Sequence, residues 1–355
     1  AAALATFAGG WALGLDPREA LIRAVAVLIV TCPCALGLAV PAVQIVASAR
    51  LFRRGVLVKS GAALERLAEI DHIVFDKTGV LTQGRPELVG AAPTVIAMAA
   101  PLARASSHPL SRALARAAGE GPVATDVVET AGQGVAGLID GRPARLGRAA
   151  FVGVPSLRGG ETELWFGFED GPRVRLQFSD AVRADAAQTI AALRARGLTV
   201  EILSGDLSAS VEVAARAVGV EAWRAGLTPQ EKSEAIDRLA ADGRKVLMVG
   251  DGLNDAAALA RAHAAIAPGT ALEASQNAAD MVLSGPGLTP IVDALDVARS
   301  ARSRALENFG FAALYNLVAA PAAMLGFVNP FVAALAMSGS SLVVTLNALR
   351  VRNPK

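Results

Sequence analysis

Apolar positions fall in long runs at both ends of the chain and in short runs between them. Residues 24–49 carry no charged side chain, and neither do residues 308–349. A membrane-crossing helix needs about 20 apolar residues, so the first run predicts one span and the second two, with Gly326-Phe-Val-Asn-Pro330 as the turn. Residues 1–15 form another uncharged stretch, too short to cross comfortably, which reads as the stump of a longer span. In the middle, the apolar runs HIVF, TVEIL and KVLMV each end in a small polar loop, and alanine-rich stretches at 183–196 and 231–241 have helical character. Strands alternating with helices predict a doubly wound parallel sheet, whose ligands bind outside the carboxyl ends of the strands. From 84 to 178 the segments shorten and glycine and proline multiply, which reads as a second domain inserted after the first strand.

Composition sharpens this picture. With 53% hydrophobic residues and a mean hydropathy of +0.44, the chain is too apolar for an ordinary soluble enzyme, yet 19% of it is charged. A membrane protein with a substantial aqueous part fits both figures. The net charge of +2 is spread out, with no basic stripe carrying aromatics, and nucleic acid is excluded as a partner. Three basic clusters flank the apolar runs: Arg50, Arg53, Arg54 and Lys59; Arg299, Arg302 and Arg304; Arg350, Arg352 and Lys355. The positive-inside rule puts all three in the cytoplasm. Both cysteines lie in TCPCALGLAVP, so a disulfide framework is excluded elsewhere. A bridge between Cys32 and Cys34 is expected to be strained, and the thiols are read as unbridged.

The loop after HIVF is DKTGVLT, Asp76 to Thr82. A carboxylate at a strand end can attack a phosphoryl group and hold it as an acyl phosphate, while Lys77 and exposed amides offset the charge. GDGLND, Gly250 to Asp255, follows another apolar strand. Magnesium takes hard oxygen ligands, so Asp76 and Asp251 on adjacent strand ends are expected to share one ion, with Asn254 and Asp255 orienting its shell. Ser204, Gly205 and Asp206 offer a hydroxyl and amides to the phosphoryl oxygens, and Lys232 offers a point charge. A strand-end aspartate on its own is an ordinary helix cap, and a Gly-Asp loop an ordinary turn; the two loops together point to phosphoryl chemistry.

These motifs resemble those of the P-type ATPases over nearly the whole chain. The resemblance implies a haloacid-dehalogenase-like α/β sheet domain with an inserted α+β nucleotide-binding domain and transmembrane α-helices. DKTGVLT matches the family's phosphorylation loop, GDGLND its magnesium loop, and Asp180-Ala-Val-Arg183 its hinge. It implies that Asp76 is phosphorylated by ATP, that Lys232 and Ser204 contact the phosphoryl group, and that Asp76, Thr78 and Asp251 hold Mg2+. Ser204 stands where the family commonly has Thr, with the hydroxyl retained. Ser107-His108-Pro109 and Gly132-Gln-Gly134 resemble the nucleotide-binding pair of the heavy-metal branch, which implies that His108 lies against adenine and that the glycines admit the backbone to the nucleotide. His72 and His263 lack such context and read as structural. The implied organisation is transmembrane spans with the Cys-Pro-Cys site at 1–49, linker and first part of the phosphorylation domain at 50–84, nucleotide-binding domain at 85–178, second part of the phosphorylation domain at 179–300 and two spans at 301–355.

The thiols answer to the same chemistry. A proline within a helix opens the backbone, and soft thiolates select ions such as Cu(I), so Cys32 and Cys34 are expected to form a metal site in the bilayer. The spacings Asn308-x6-Tyr315-Asn316-x4-Pro321 and Met337-x2-Ser340-Ser341 resemble the copper(I) subgroup, which implies that Tyr315, Asn316, Met337 and Ser341 complete the transport sites. No Lys, Asp or Glu stands in these spans to match a divalent ion such as zinc. The run from Val40 through DKTGVLT, Ala257 where many copper pumps have proline, and NPFVAALAMSGSS look like bacterial copper ATPases that serve cytochrome oxidase assembly.

The reading is therefore an ATP-driven Cu(I) exporter of a bacterial inner membrane, multi-pass, supplied by a cytoplasmic copper chaperone. No TGE-containing loop and no CxxC stretch occurs, so the actuator and metal-receiving domains are expected before residue 1. Two other readings stand beside it: a membrane-tethered haloacid-dehalogenase phosphatase, and a fragment that binds nucleotide and metal without turning over.

Overall fold

The computed structural model describes residues 1–155 and 162–352. Lys355 of the third basic cluster lies outside the described residues. The chain divides into two compact units, 1–69 with 290–355, and 70–289.

The first unit is built from helices. Pro17–Val30 starts at Asp16, whose carboxylate accepts the Arg18 N–H at 2.8 Å, and the helix stops at Thr31. Pro33 has no N–H to continue the ladder, and a second proline opens the next piece, so Cys34–Ala39 and Pro41–Phe52 follow as separate helices. The apolar run at 24–49 is thus a broken helix, interrupted where the Cys-Pro-Cys stretch was expected to open the backbone. Thr289–Met324 carries charged residues through Glu307, and its uncharged part begins only at Asn308. Among the described residues one helix, Pro330–Ala348, is by itself long and apolar enough to cross a membrane. Asn329 starts it by accepting the Val332 N–H at 2.9 Å, after a turn in which Gly326 has φ +88°.

Small side chains let these helices approach. Ala26, Val27 and Val30 pack with Ala323 and Ala333, and Ala39 packs with Ala312 and Val344. Two buried asparagines satisfy each other between them: Asn347 Nδ2 donates to Asn308 Oδ1 at 3.0 Å, and Asn308 Nδ2 donates to the Ala39 carbonyl at 3.0 Å.

The second unit holds two sheets. In the parallel one, Met281–Leu283, Ala264–Pro268, Val246–Val249, His72–Phe75, Thr199–Leu203 and Ala222–Arg224 lie side by side in that order. Its central strands are apolar without alternation and buried on both faces, as parallel strands covered by helices are. Phe75 sits opposite both Val249 and Ile202, so three strands end level with one another. Of these strands, Ala222–Arg224, Ala264–Pro268 and Met281–Leu283 are not distinguished by the sequence pattern, since each is only three to five residues long. The flanking helix Pro229–Ala241 buries Ala235 and Ile236 against Val74 and Met248.

The second sheet is antiparallel, in the order Thr82–Val89, Val174–Val182, Thr162–Phe168, Arg142–Gly147, Gly134–Ile139 and Thr125–Thr130. Thr82–Val89 leaves the parallel sheet straight after the DKTGVLT loop, and its partner Val174–Val182 leads back. Helices Pro93–Arg104 and Pro109–Ala118 cover the sheet, closing a core of Leu102, Leu114, Val135, Leu146, Phe166 and Leu176.

Candidate active site

The three level strand ends of the parallel sheet place Asp76, Ser204 and the Gly250-Asp251 loop at one edge. The Asp76 backbone N–H donates to the Val249 carbonyl at 2.8 Å, which holds its strand end against the neighbouring one. Its carboxylate is 5% exposed and receives Lys232 Nζ on Oδ1 at 2.5 Å; the same ammonium donates to Asp255 Oδ1 at 2.7 Å. Lys232 reaches there because of how its helix begins. Thr228 Oγ1 accepts the Glu231 N–H at 3.3 Å and Glu231 Oε2 accepts the Thr228 N–H at 2.8 Å, a reciprocal cap that sets the first turn of Pro229–Ala241.

Carboxylate oxygens of Asp76, Asp251 and Asp255 lie within 4.8 Å of one another. Burial first, and then the charge of Asp255, push the Asp76 carboxyl up to about 7, with Lys232 pulling against them. Asp251 is pushed up to about 6 by burial and by Asp255. Burial works against the charge of Lys232, yet Asp76 and Asp255 together keep its pKa above the ordinary lysine value. Three acids compressed around one ammonium form an all-oxygen donor set of the kind a hard divalent cation neutralises, so these residues fit Mg2+.

Several residues sit differently from expectation. Lys77 turns away from Asp76: its Nζ lies 2.7 Å from Asp206 Oδ2 and 3.1 Å from Ser210 Oγ, because the chain reverses after Asp76. The Thr78 hydroxyl donates to Asp206 Oδ2 at 2.7 Å, which leaves only its backbone oxygen for the magnesium role expected of this residue. Asp206 is thereby held below the usual carboxylate range: burial opposes this, and the bonds from Lys77 and Thr78 outweigh it. Asp255 belongs inside the acidic cluster, 1% exposed, and also accepts the Gly252 N–H at 3.3 Å, whereas Asn254 is exposed on the turn beside it. Ser204 is buried, its Oγ accepting the Asp206 N–H at 3.1 Å. Gly205 borders a cavity described below.

Two features had only a weak sequence signal. Gly79 has φ +73°, and a Cβ there would overlap the Asp251 carboxylate, so the loop passes Asp251 only as glycine. Arg183, noted only as part of the hinge motif, clasps that loop: Nε donates to the Val80 carbonyl at 2.6 Å and Nη2 to the Gly79 carbonyl at 2.7 Å. No local pattern announces this contact, since donor and acceptors are separated by more than 100 residues.

A cavity of about 740 Å³ opens beside this edge, bordered by Ser106, His108, Glu129, Gly132, Gly134 and Arg148, with Gly205 and Asp206 at one end. His108 begins the helix Pro109–Ala118, Nδ1 accepting the Leu110 N–H at 3.3 Å, and Pro109 fits the first helical position, where no N–H is needed. The two glycines act differently. Gly132, φ +70°, makes the hairpin turn, while Gly134 faces Gly147 so closely that a Cβ would lie 2.7 Å from its Cα.

In the helical unit the structure brings the sulfurs of Cys32 and Cys34 together as a disulfide pair, with Cα atoms 5.5 Å apart. This corrects the reading of two unbridged thiols: the break at Pro33 turns both sulfurs to one side. The helices that carry Tyr315, Asn316, Met337 and Ser341 pack with those flanking the pair. Tyr315 Oη and Asn316 Oδ1 are buried atoms without a hydrogen-bond partner, whereas the Ser341 hydroxyl donates to the Met337 carbonyl at 3.2 Å. His72 faces Glu201 at 3.5 Å, inside the sheet.

The model of the haloacid dehalogenase-like hydrolases matches residues 70–263, which is more than half of the chain. The chain is 46% identical over 362 residues to the nitrogen fixation protein FixI of Bradyrhizobium diazoefficiens, covering 99% of this chain and 50% of that protein. It is 38% identical over 365 residues to a copper-exporting P-type ATPase of Mycobacterium tuberculosis, covering 97% and 48%. The chain thus spans about half the length of the curated relatives it matches. Among solved structures, a zinc-transporting PIB-type ATPase in the E2.Pi state superposes with a TM-score of 0.81 at 30% identity, covering 99% of this chain and 61% of that one. The catalytic domain of the CPx-ATPase CopB-B gives 0.61 at 29%, covering 70% and 98%. A hydrolase fold that seats an aspartate between strand ends, flanked by helices with a Cys-Pro-Cys break, and these relatives along its whole length lead to one assignment: the chain belongs to the haloacid dehalogenase-like hydrolases and, within them, to the heavy-metal P-type ATPases.

Proposed function

We propose that this chain is the catalytic and transport part of an ATP-driven exporter of Cu(I), working through an aspartyl phosphate at Asp76. The observation that carries the reading is the buried Lys232 ammonium 2.5 Å from Asp76 Oδ1, with Asp251 and Asp255 around it. A carboxylate oxygen of Asp76 attacks the γ-phosphorus of ATP. The new O–P bond forms as the bond from the γ-phosphorus to the β,γ-bridging oxygen breaks, and ADP leaves with that electron pair. Asp76, Asp251 and the Thr78 backbone would hold magnesium, which when bound neutralises charge on the phosphates. Lys232 screens the approach of a carboxylate to an anionic phosphate, and Asp255 keeps Lys232 in place. Later attack by water on the phosphorus forms a new O–P bond as the bond to Asp76 breaks, releasing inorganic phosphate and restoring the carboxylate.

The 740 Å³ cavity is the proposed ATP site, with adenine near His108 and the phosphates towards Gly205 and Asp206. Cu(I) is the proposed cargo, received at cytoplasmic basic loops from a copper chaperone and held by Cys32 and Cys34 in their reduced state. Tyr315, Asn316, Met337 and Ser341 complete its path in a multi-pass membrane domain; the unpartnered buried atoms of Tyr315 and Asn316 support this role. The absence of Lys, Asp and Glu from 308–349 favours a monovalent soft ion over zinc. Supply of copper to oxidase assembly, rather than detoxification, rests on the sequence runs described above.

Labelling with γ-phosphate-radioactive ATP and magnesium tests the core of this reading. The protein is expected to form an acid-stable, hydroxylamine-sensitive phosphoenzyme that Asp76→Asn lacks; label retained in that variant assigns the nucleophile elsewhere.

A further inference from the structure

Within the proposed nucleotide cavity one carboxylate has no part in the family motifs. Glu129 is the penultimate residue of the strand Thr125–Thr130 and lies on the cavity wall with His108. Its Oε1 accepts the Ser106 hydroxyl at 2.6 Å, and Ser106 Oγ in turn accepts the His108 backbone N–H at 3.2 Å. This relay ties the carboxylate to the residue that begins the Pro109–Ala118 helix. Oε2 has no protein partner among the described residues. A fixed carboxyl group with one oxygen occupied and the other open is a single, directed acceptor.

We propose that Glu129 reads the base of the bound nucleotide, its Oε2 accepting a hydrogen bond from an exocyclic amine and so selecting adenine. The inference rests on the nucleotide reading of this cavity. A carboxylate can also favour guanine, but it then takes the ring N–H and the 2-amino group with both oxygens, and here Ser106 occupies one of them. Hypoxanthine presents an oxygen where adenine has its amine, so two acceptors, that oxygen and Glu129 Oε2, would face each other without a proton between them. Charged hydrogen bonds of this kind discriminate by between about tenfold and a hundredfold. Ser106 is a positioning residue: it contributes by fixing Glu129, not by touching the base.

The test measures ATP and inosine triphosphate binding to the full chain by competition against a fluorescent nucleotide. Wild type is expected to prefer ATP by at least about tenfold. Glu129→Gln, which can turn its amide to donate instead of accept, should bring the two affinities within about twofold, and Ser106→Ala should reduce the preference part of the way while the protein still binds ATP. An unchanged ATP-to-inosine ratio in Glu129→Gln overturns the proposal even if His108→Ala weakens both nucleotides. If His108→Ala leaves both affinities untouched as well, the cavity is not the nucleotide site and the reading beneath the proposal fails with it.

Discussion

At the residue scale the site is governed by one ammonium among three carboxylates. Lys232 is 4% exposed and bonded to both Asp76 and Asp255, so removing it leaves two buried acids facing each other without compensation. Lys232→Met is expected to lower the rate of phosphoenzyme formation by at least about 100-fold, because the charge beside the attacking oxygen is lost. It should also destabilise the fold by about 3 kcal/mol, the cost of breaking a buried pair from one side. Rapid-quench labelling and urea unfolding of the same preparation read the two effects separately. A variant that phosphorylates at the normal rate would remove Lys232 from the reaction. Lys77 is the contrasting case. Its sequence position beside Asp76 suggests the nearer cation, yet Asp206 and Ser210 hold it elsewhere.

At the scale of elements, lateral ties between strands keep the carboxyl ends level. Glu201, in Thr199–Leu203, accepts Arg224 Nε at 2.8 Å from the neighbouring Ala222–Arg224 and lies 3.5 Å from His72 Nε2 in the central strand on its other side. Burial tends to raise its pKa, but the nearby His72 and the bond and charge of Arg224 outweigh this and hold it below the ordinary glutamate value of 4.5. A depressed folded pKa means that the unfolded chain takes up the proton first. The stability contributed by Glu201 is therefore complete above pH 4.5 and is lost as pH falls through its lower folded value. Glu201→Gln is expected to cost about 1 kcal/mol at pH 7, with the difference from wild type shrinking below pH 4.5. Chemical denaturation across pH measures this; a difference that grows on acidification contradicts it.

At the scale of the whole molecule, the chain divides into separate compact units, 1–69 with 290–355, and 70–289, and the proposed function assigns the metal to the first and the nucleotide to the second. Replacing both Cys32 and Cys34 by serine is therefore expected to abolish copper-stimulated ATP turnover in the full-length polypeptide while leaving nucleotide affinity within about twofold of wild type. The assay belongs under reducing conditions, since the two sulfurs pair when oxidised and only thiolates bind Cu(I). Full stimulation by zinc with none by copper would sink the copper assignment. Wild-type copper stimulation in the double variant would take these thiols out of the path.

What the sequence determined by itself is local or nearly so. Apolar runs ending in DKTGVLT and GDGLND announced parallel strands with acids at their carboxyl ends, because burial on both faces and a polar loop leave their mark within a few neighbouring residues. The same locality explains why the inserted domain was legible as a change of pattern between 84 and 178. Tertiary structure alone decided which side chains meet. Lys232 stands 156 residues from Asp76 and reaches it only because strand order sets the Pro229–Ala241 helix over the central strand end. Arg183 clasps the backbone at Gly79, and Ser106 aims Glu129, through contacts that no spacing encodes. Hydropathy counts apolar side chains and registers 24–49 as one run; the prolines at 33 and 41 signal the opening by withholding N–H groups, and the structure fixes where the helix stops and restarts.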